Sequence, residues 1–361
     1  MKFRLLHDLR AVAALLVVLF HVGMNLAKEK YFGAAADPLG AWVWFGGDAG
    51  VAFFFVLSGF IIHHIHAQDH GHPERLRDYV LKRVIRIYPS YLIIFAGVCL
   101  LALPFQEWRA TLPHDPWVIA KSLLLVPQDR SVVGGTGAPV IVVAWSLQFE
   151  VMFYALVGLA IFSRPLARCA MAVMAVCMVW HLGWGDDRFP LRFVGSHHLL
   201  QFAMGMWAAH AVRNGAPWRH PGWKALGAAA GFAATAVVST WHMDRYVREW
   251  ADMAYGSASA LGIVAAIWYE RATPAERLRT LPPVLGDASY VLYLVHFPLV
   301  AAMSKVCAAV LPGTTLWAVL AAMGITVVCV VVSVAFHVWV EAPLTAWLQL
   351  RLHARRRLSQ A

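Results

Sequence analysis

Ten stretches of about twenty mostly apolar residues recur along this chain, and a segment of that kind is what a helix needs to cross the hydrocarbon core of a bilayer. They fall near 9–27, 42–62, 87–105, 139–162, 169–185, 193–212, 223–241, 250–269, 284–311 and 314–340. Inside lipid every backbone N–H and C=O must find its partner within the protein, so such runs fold as helices and pack as a bundle. The expected fold is therefore all-α: a polytopic transmembrane helix bundle of about ten spans. Composition agrees, with 60% hydrophobic and 14% charged residues, against roughly 25% charged in soluble domains. The 16 tryptophans suit a lipid-water interface.

Charge sets the orientation. With the N-terminus inside, 20 of the 30 Lys and Arg residues fall in cytoplasmic segments and 9 in outside ones, which places both termini in the cytoplasm of a bacterial inner-membrane protein. The formal charge of +10 is thus a topology signal; its basic residues are spread between apolar runs rather than gathered in a stripe, so no nucleic-acid partner is expected. Residues 1–345 form the membrane-embedded domain and 346–361 a basic cytoplasmic tail. The largest connection, near 106–138, holds Gly134, Gly135 and Gly137 and is too short to fold alone. The five cysteines all lie in apolar runs without a metal-ligand spacing. His63, His64, His66, His70 and His72 look metal-like but lack a Cys or carboxylate framework, so neither a metal nor a bound cofactor is expected.

Ionisable residues inside spans are costly and mark cavities or partners. Arg10 and His21 are eleven residues apart, almost three whole turns, so they share a face about 16 Å apart along the axis. An imidazole so placed suits a general base or acyl acceptor, or a structural hydrogen-bonder between helices. Arg83 and Arg86 are neighbours on one helical face; paired guanidinium forks suit a phosphate-bearing ligand or anionic lipid. Ser146, Glu150 and Tyr154 recur every four residues after Trp145, where a membrane carboxylate needs a cation, a proton or a sugar hydroxyl. Ser289, Tyr293 and His296 share a face ahead of Pro298, which can kink a helix and open a cavity. His197, His198 and Gln201 either line a polar pocket or lie at the interface.

Taken in order, these pieces resemble the acyltransferase-3 family of integral-membrane acyltransferases, in particular its exopolysaccharide-modifying type. The likeness is carried by the Arg10 to His21 spacing, by Gly50 to Phe60 with Ser58 inside it, by Arg83 and Arg86, by Trp145-Ser146-Leu147 with Glu150, and by Ser289-Tyr290 with Tyr293-Leu294 and His296. It implies an O-acyltransferase that moves an acyl group, acetyl first among the candidates, from cytoplasmic acyl-CoA to a hydroxyl of an exported carbohydrate. It carries a catalytic role to His21 with support from Arg10 and Glu150, acyl-CoA recognition to Arg83 and Arg86, and a place in the acceptor pocket to Ser58, Trp145, Ser146, Tyr154, Tyr293 and His296. Many members carry a fused extracytoplasmic esterase-like domain. Here acceptor handling is expected from another protein, such as polysaccharide export machinery. A sugar or lipid-linked glycan transporter is the non-enzymatic alternative, although no second copy of the Arg/His or Trp-Ser-Leu pattern marks the repeated halves usual in transporters. The same fold with another acyl group, such as succinyl, is the enzymatic one.

Overall fold

The computed structural model describes residues 3–40, 47–185, 187–241 and 245–360. Among them no strand occurs. Each of the ten apolar runs coincides with a long helix: α1 Arg4–Leu26, α2 Gly47–His66, α3 Leu76–Ala102, α4 Trp145–Phe162, α5 Arg164–Trp184, α6 His198–Asn214, α7 Pro221–Trp241, α8 Arg245–Ala272, α9 Ser289–Val310 and α10 Thr315–Phe336. A single π-type turn, His337–Glu341, leads from α10 into α11, Ala342–Gln360. The first residues of the second run, 42–46, and Lys2 lie outside the described residues. Among the described residues eight helical stretches are long and apolar enough to cross a membrane. α6, with 17 residues, and α7, rich in Gly and Ala, fall outside that set.

The chain divides into two compact units. The first, residues 1–68 and 196–330, has α1 at its centre. One side of α1 packs through Leu6 and Ala13 onto Phe53, Val56, Phe60, Ala208, Val212 and Ile263 of α2, α6 and α8. Its other side packs through Ala14, Val18 and Val22 onto Leu292, Val300, Ala322 and Ile325 of α9 and α10. A helix apolar on both sides is buried on both sides, and any polar side chain on it must then find a partner within the unit. Its exposed N-terminal amides are satisfied from far along the sequence: the Glu270 carboxylate accepts from the backbone N–H of Arg4 and Leu5, each at 3.0 Å, where the helix dipole favours a negative charge.

Helices α2 and α6 meet backbone to backbone at two glycines. A Cβ on Gly59 would stand 2.1 Å from the Phe202 carbonyl oxygen, and one on Gly205 1.9 Å from that of Val56. Only glycine lets these backbones touch, the small-residue packing that holds membrane helices together when the hydrophobic effect cannot.

The second unit comprises residues 69–195 and 331–361. Its long connection folds into short helices, Gln106–Arg109, Pro116–Leu123 and Arg130–Val133. Asp115 and Asp129 cap the second and third by accepting from the N–H of Trp117 and Ser131, and the Ser131 amide holds the Asp129 carboxyl below its usual range. Gly134, Gly135 and Gly137 all take positive φ, which accounts for the glycine cluster. Tyr88 and Tyr91 of α3 donate to the carbonyls of Leu124 and Ser122, and buried Gln148 of α4 to that of Gly137, so the connection is tied to the helices.

Candidate active site

In the first unit the predicted histidines of α1 and α9 come together although 275 residues separate them: His296 Nε2 lies 3.2 Å from His21 Nδ1. The reason is the α1–α9 packing, which places Val18 and Val22 against Leu292 and Val300 and leaves His21, on the adjoining part of α1, facing α9. His21 Nδ1 is also 2.9 Å from the Val17 carbonyl, one turn back on its own helix. His296 Nδ1 is 3.0 Å from the Leu292 carbonyl. Phe20 and Phe297 stand edge-on to the His21 ring, and the Tyr293 ring touches His296 and Phe54. His296 is completely buried, whereas His21 is half-buried.

Arg10 is half-buried on the same helix as His21, and Ser58 half-buried on α2 beside the close contact at Gly59. Ser289 donates to the Gly286 carbonyl at 2.7 Å, which makes it part of the turn into α9. α9 runs unbroken through Pro298.

A second polar cluster in this unit has His197 Nε2 2.8 Å from an Asp252 carboxylate oxygen. Gln201 donates its amide to the Asp252 carbonyl at 2.9 Å and sets its own oxygen 3.4 Å from His198 Nδ1. The donor atoms of His197, His198 and Asp252 lie within 4.8 Å of one another, the one such His/Asp group among the described residues. Sequence reading left His197, His198 and Gln201 open between a polar pocket and an interfacial position, and missed Asp252, which comes from another helix and carries no local pattern. The His64 ring stacks on Phe60, and His72 pairs with Glu74 at 3.1 Å.

In the second unit Arg83 stands over the rings of Tyr79 and Tyr154, at 5.9 and 5.6 Å, while its Nε is buried with no hydrogen-bond partner among the described residues. Tyr154 donates its hydroxyl to Glu150 at 2.5 Å, so the four-residue spacing in α4 does bring these two together. Ser146 turns instead to the Val143 carbonyl at 3.2 Å, and Trp145 packs edge-on against Phe149. Arg86 Nη1 lies 3.6 Å from Glu341, whose other oxygen accepts from His337 Nδ1 at 2.7 Å. Glu341 is buried, whereas the Arg86 side chain is 42% exposed.

Sequence reading missed Glu341 and His337. A signal was there: Glu341 is the only carboxylate after Asp287 and closes a long apolar run. The π-turn that carries both residues belongs to a class of helix irregularity often found at functional sites.

A helical membrane bundle with a paired histidine, and with arginines held among tyrosines and carboxylates, has the makings of a group-transfer enzyme. Residues 7–335 match the acyltransferase-3 family, described as an acyltransferase domain; the chain belongs to that family and is an acyltransferase. Membership sets aside the transporter alternative. The chain is 29% identical over 314 residues to the exopolysaccharide production protein ExoZ of Rhizobium meliloti, covering 82% of this chain and 89% of that protein. It is 26% identical over 398 residues to the acyltransferase MdmB of Streptomyces mycarofaciens, covering 98% and 92%. A third likeness, 34% over 113 residues, is to the putative peptidoglycan O-acetyltransferase YrhL of Bacillus subtilis, and spans 30% of this chain and 15% of that one. No solved structure matches.

Proposed function

We propose that this protein is an inner-membrane O-acyltransferase that moves an acyl group, acetyl in the first instance, from cytoplasmic acyl-CoA to a hydroxyl of an exported carbohydrate such as exopolysaccharide. The observation that carries this reading is the His21–His296 contact at 3.2 Å inside an acyltransferase fold. A sugar hydroxyl is a poor nucleophile until a base takes its proton, and His21 is the ionisable side chain of α1 so placed. Likeness to ExoZ supports the carbohydrate acceptor. Arg83, with an unpartnered buried Nε, and the partly exposed guanidinium of Arg86 fit the phosphates of coenzyme A, while the Tyr154 ring packs against Arg83. Arg10 supports the chemistry from the same helix as His21.

Mass spectrometry of surface glycans from a strain lacking the gene tests acyl group and acceptor together. Loss of one O-acyl substituent, restored by the wild-type gene, is the expected result; an unaltered set of acylated glycans would dismiss the carbohydrate reading.

Topology follows the positive-inside count. Reporters fused after Gly137 and at Ala361 should fall on opposite faces, the first outside and the second in the cytoplasm. Both on one face would rule out the ten-span arrangement.

A further inference from the structure

The histidine contact has a direction. His296 Nδ1 lies 3.0 Å from the Leu292 carbonyl, and a carbonyl only accepts, so that nitrogen holds the ring's hydrogen. In a neutral imidazole the other nitrogen is then bare. This bare Nε2 is 3.2 Å from His21 Nδ1, which also faces the Val17 carbonyl at 2.9 Å. Both neighbours of His21 Nδ1 are therefore acceptors. Nδ1 of His21 must carry the hydrogen and share it between them, which leaves His21 Nε2 with the lone pair. Among the described residues nothing hydrogen-bonds to His21 Nε2, and His21 is not fully enclosed.

We propose that His296 is a positioning residue: by accepting from His21 Nδ1–H it fixes the tautomer and orientation in which His21 Nε2 is the atom that takes the acceptor's proton. This rests on the acyltransferase reading above. As the acceptor oxygen bonds to the thioester carbonyl carbon, its proton passes to His21 Nε2. The carbon–sulfur bond breaks and the proton is handed to the departing thiolate, giving the acylated sugar and free coenzyme A thiol. While His21 holds both protons, its Nδ1–H still donates to Val17 and His296, and that hydrogen bond to a charged ring is stronger than the neutral one. A working histidine depends on such a partner to keep the right nitrogen bare.

Three substitutions at His296 separate positioning from simple support. Glutamine ends three bonds from Cβ, as Nε2 does, so its amide oxygen can take the His21 Nδ1–H. Asparagine ends two bonds out, as Nδ1 does, so it keeps the Leu292 contact but does not reach His21. Leucine keeps neither. In inserted protein, glycan acylation should fall roughly 10- to 100-fold in His296→Leu and His296→Asn, the order lost when a working histidine's partner is removed. His296→Gln should recover most of that loss. If asparagine restores the rate as well as glutamine or better, His296 is a structural hydrogen-bonder and the proposal falls.

Nitrogen NMR of the histidine-labelled, membrane-reconstituted protein reads the tautomer without substrate. Wild type should show His21 with a protonated Nδ1 and a bare Nε2, and His296→Leu should lose that preference; a proton on His21 Nε2 in wild type would overturn the assignment. The two failures are distinguishable. An active His21→Gln protein removes the base reading, whereas the wrong NMR tautomer with an inactive His21→Gln removes only the role of His296.

Discussion

Replacing His21 with glutamine is expected to lower glycan acylation by about two or more orders of magnitude, the contribution of a general base, in a protein that still inserts and still binds acetyl-CoA. Glutamine hydrogen-bonds but takes no proton near neutral pH. His21→Asn is the stricter control. Its amide N–H stands where Nδ1–H stood, so the Val17 carbonyl and His296 Nε2 both keep a donor, and only the outer nitrogen is lost. A histidine that merely joins α1 to α9 tolerates asparagine; one that moves a proton does not. Acylation and acetyl-CoA binding measured on equal amounts of inserted protein decide between these, and near-normal transfer in either variant would remove His21 from the chemistry.

The second large effect is expected at the arginine pair. Arg83→Ala and Arg86→Ala should each weaken acetyl-CoA binding roughly ten- to a hundredfold, the equivalent of a charged hydrogen bond of about 1.5–3 kcal/mol. Lysine should restore binding only in part. It lacks the planar fork that meets a phosphate with two parallel bonds, and at position 83 it would lose the flat packing over Tyr79 and Tyr154. Position 86 needs one further control, because its removal takes the arginine partner from the buried Glu341 carboxylate, a change that destabilises in its own right. The double variant Arg86→Ala with Glu341→Gln removes that stranded charge. If it inserts normally and acetyl-CoA affinity returns with it, Arg86 serves the fold rather than the donor; equal affinity for acetyl-CoA in wild type and both alanine variants would assign the pair to lipid anchoring.

Much of the site was legible because a charge in lipid is conspicuous. Arg10, His21, Glu150 and His296 stand out against apolar neighbours, and the i, i+4 spacing of Glu150 and Tyr154 led directly to a hydrogen bond. The same spacing said little about Ser146, whose hydroxyl donates to the Val143 carbonyl at 3.2 Å. What stayed hidden were partners supplied by another helix. Asp252 for His197 and Glu341 for Arg86 lie 55 and 255 residues away, and no periodicity links them.

The sequence by itself determined the helices, because apolar runs of membrane length have no other way to satisfy their backbone in lipid, and it determined the candidate ionisable residues, because each is costly where it stands. It also marked Gly59 within the stretch from Gly50 to Phe60, though not its purpose. Tertiary structure decided which helices meet. Gly59 and Gly205 matter because α2 and α6 touch there, and His21 and His296 form a pair because α1 is packed on both sides, with α9 on the side that His21 adjoins. It also decided the chemistry of the pair: the sequence supplies two imidazoles, each with two possible tautomers, and only the carbonyls of Val17 and Leu292, held within hydrogen-bond reach by the helices themselves, select which nitrogen is left bare.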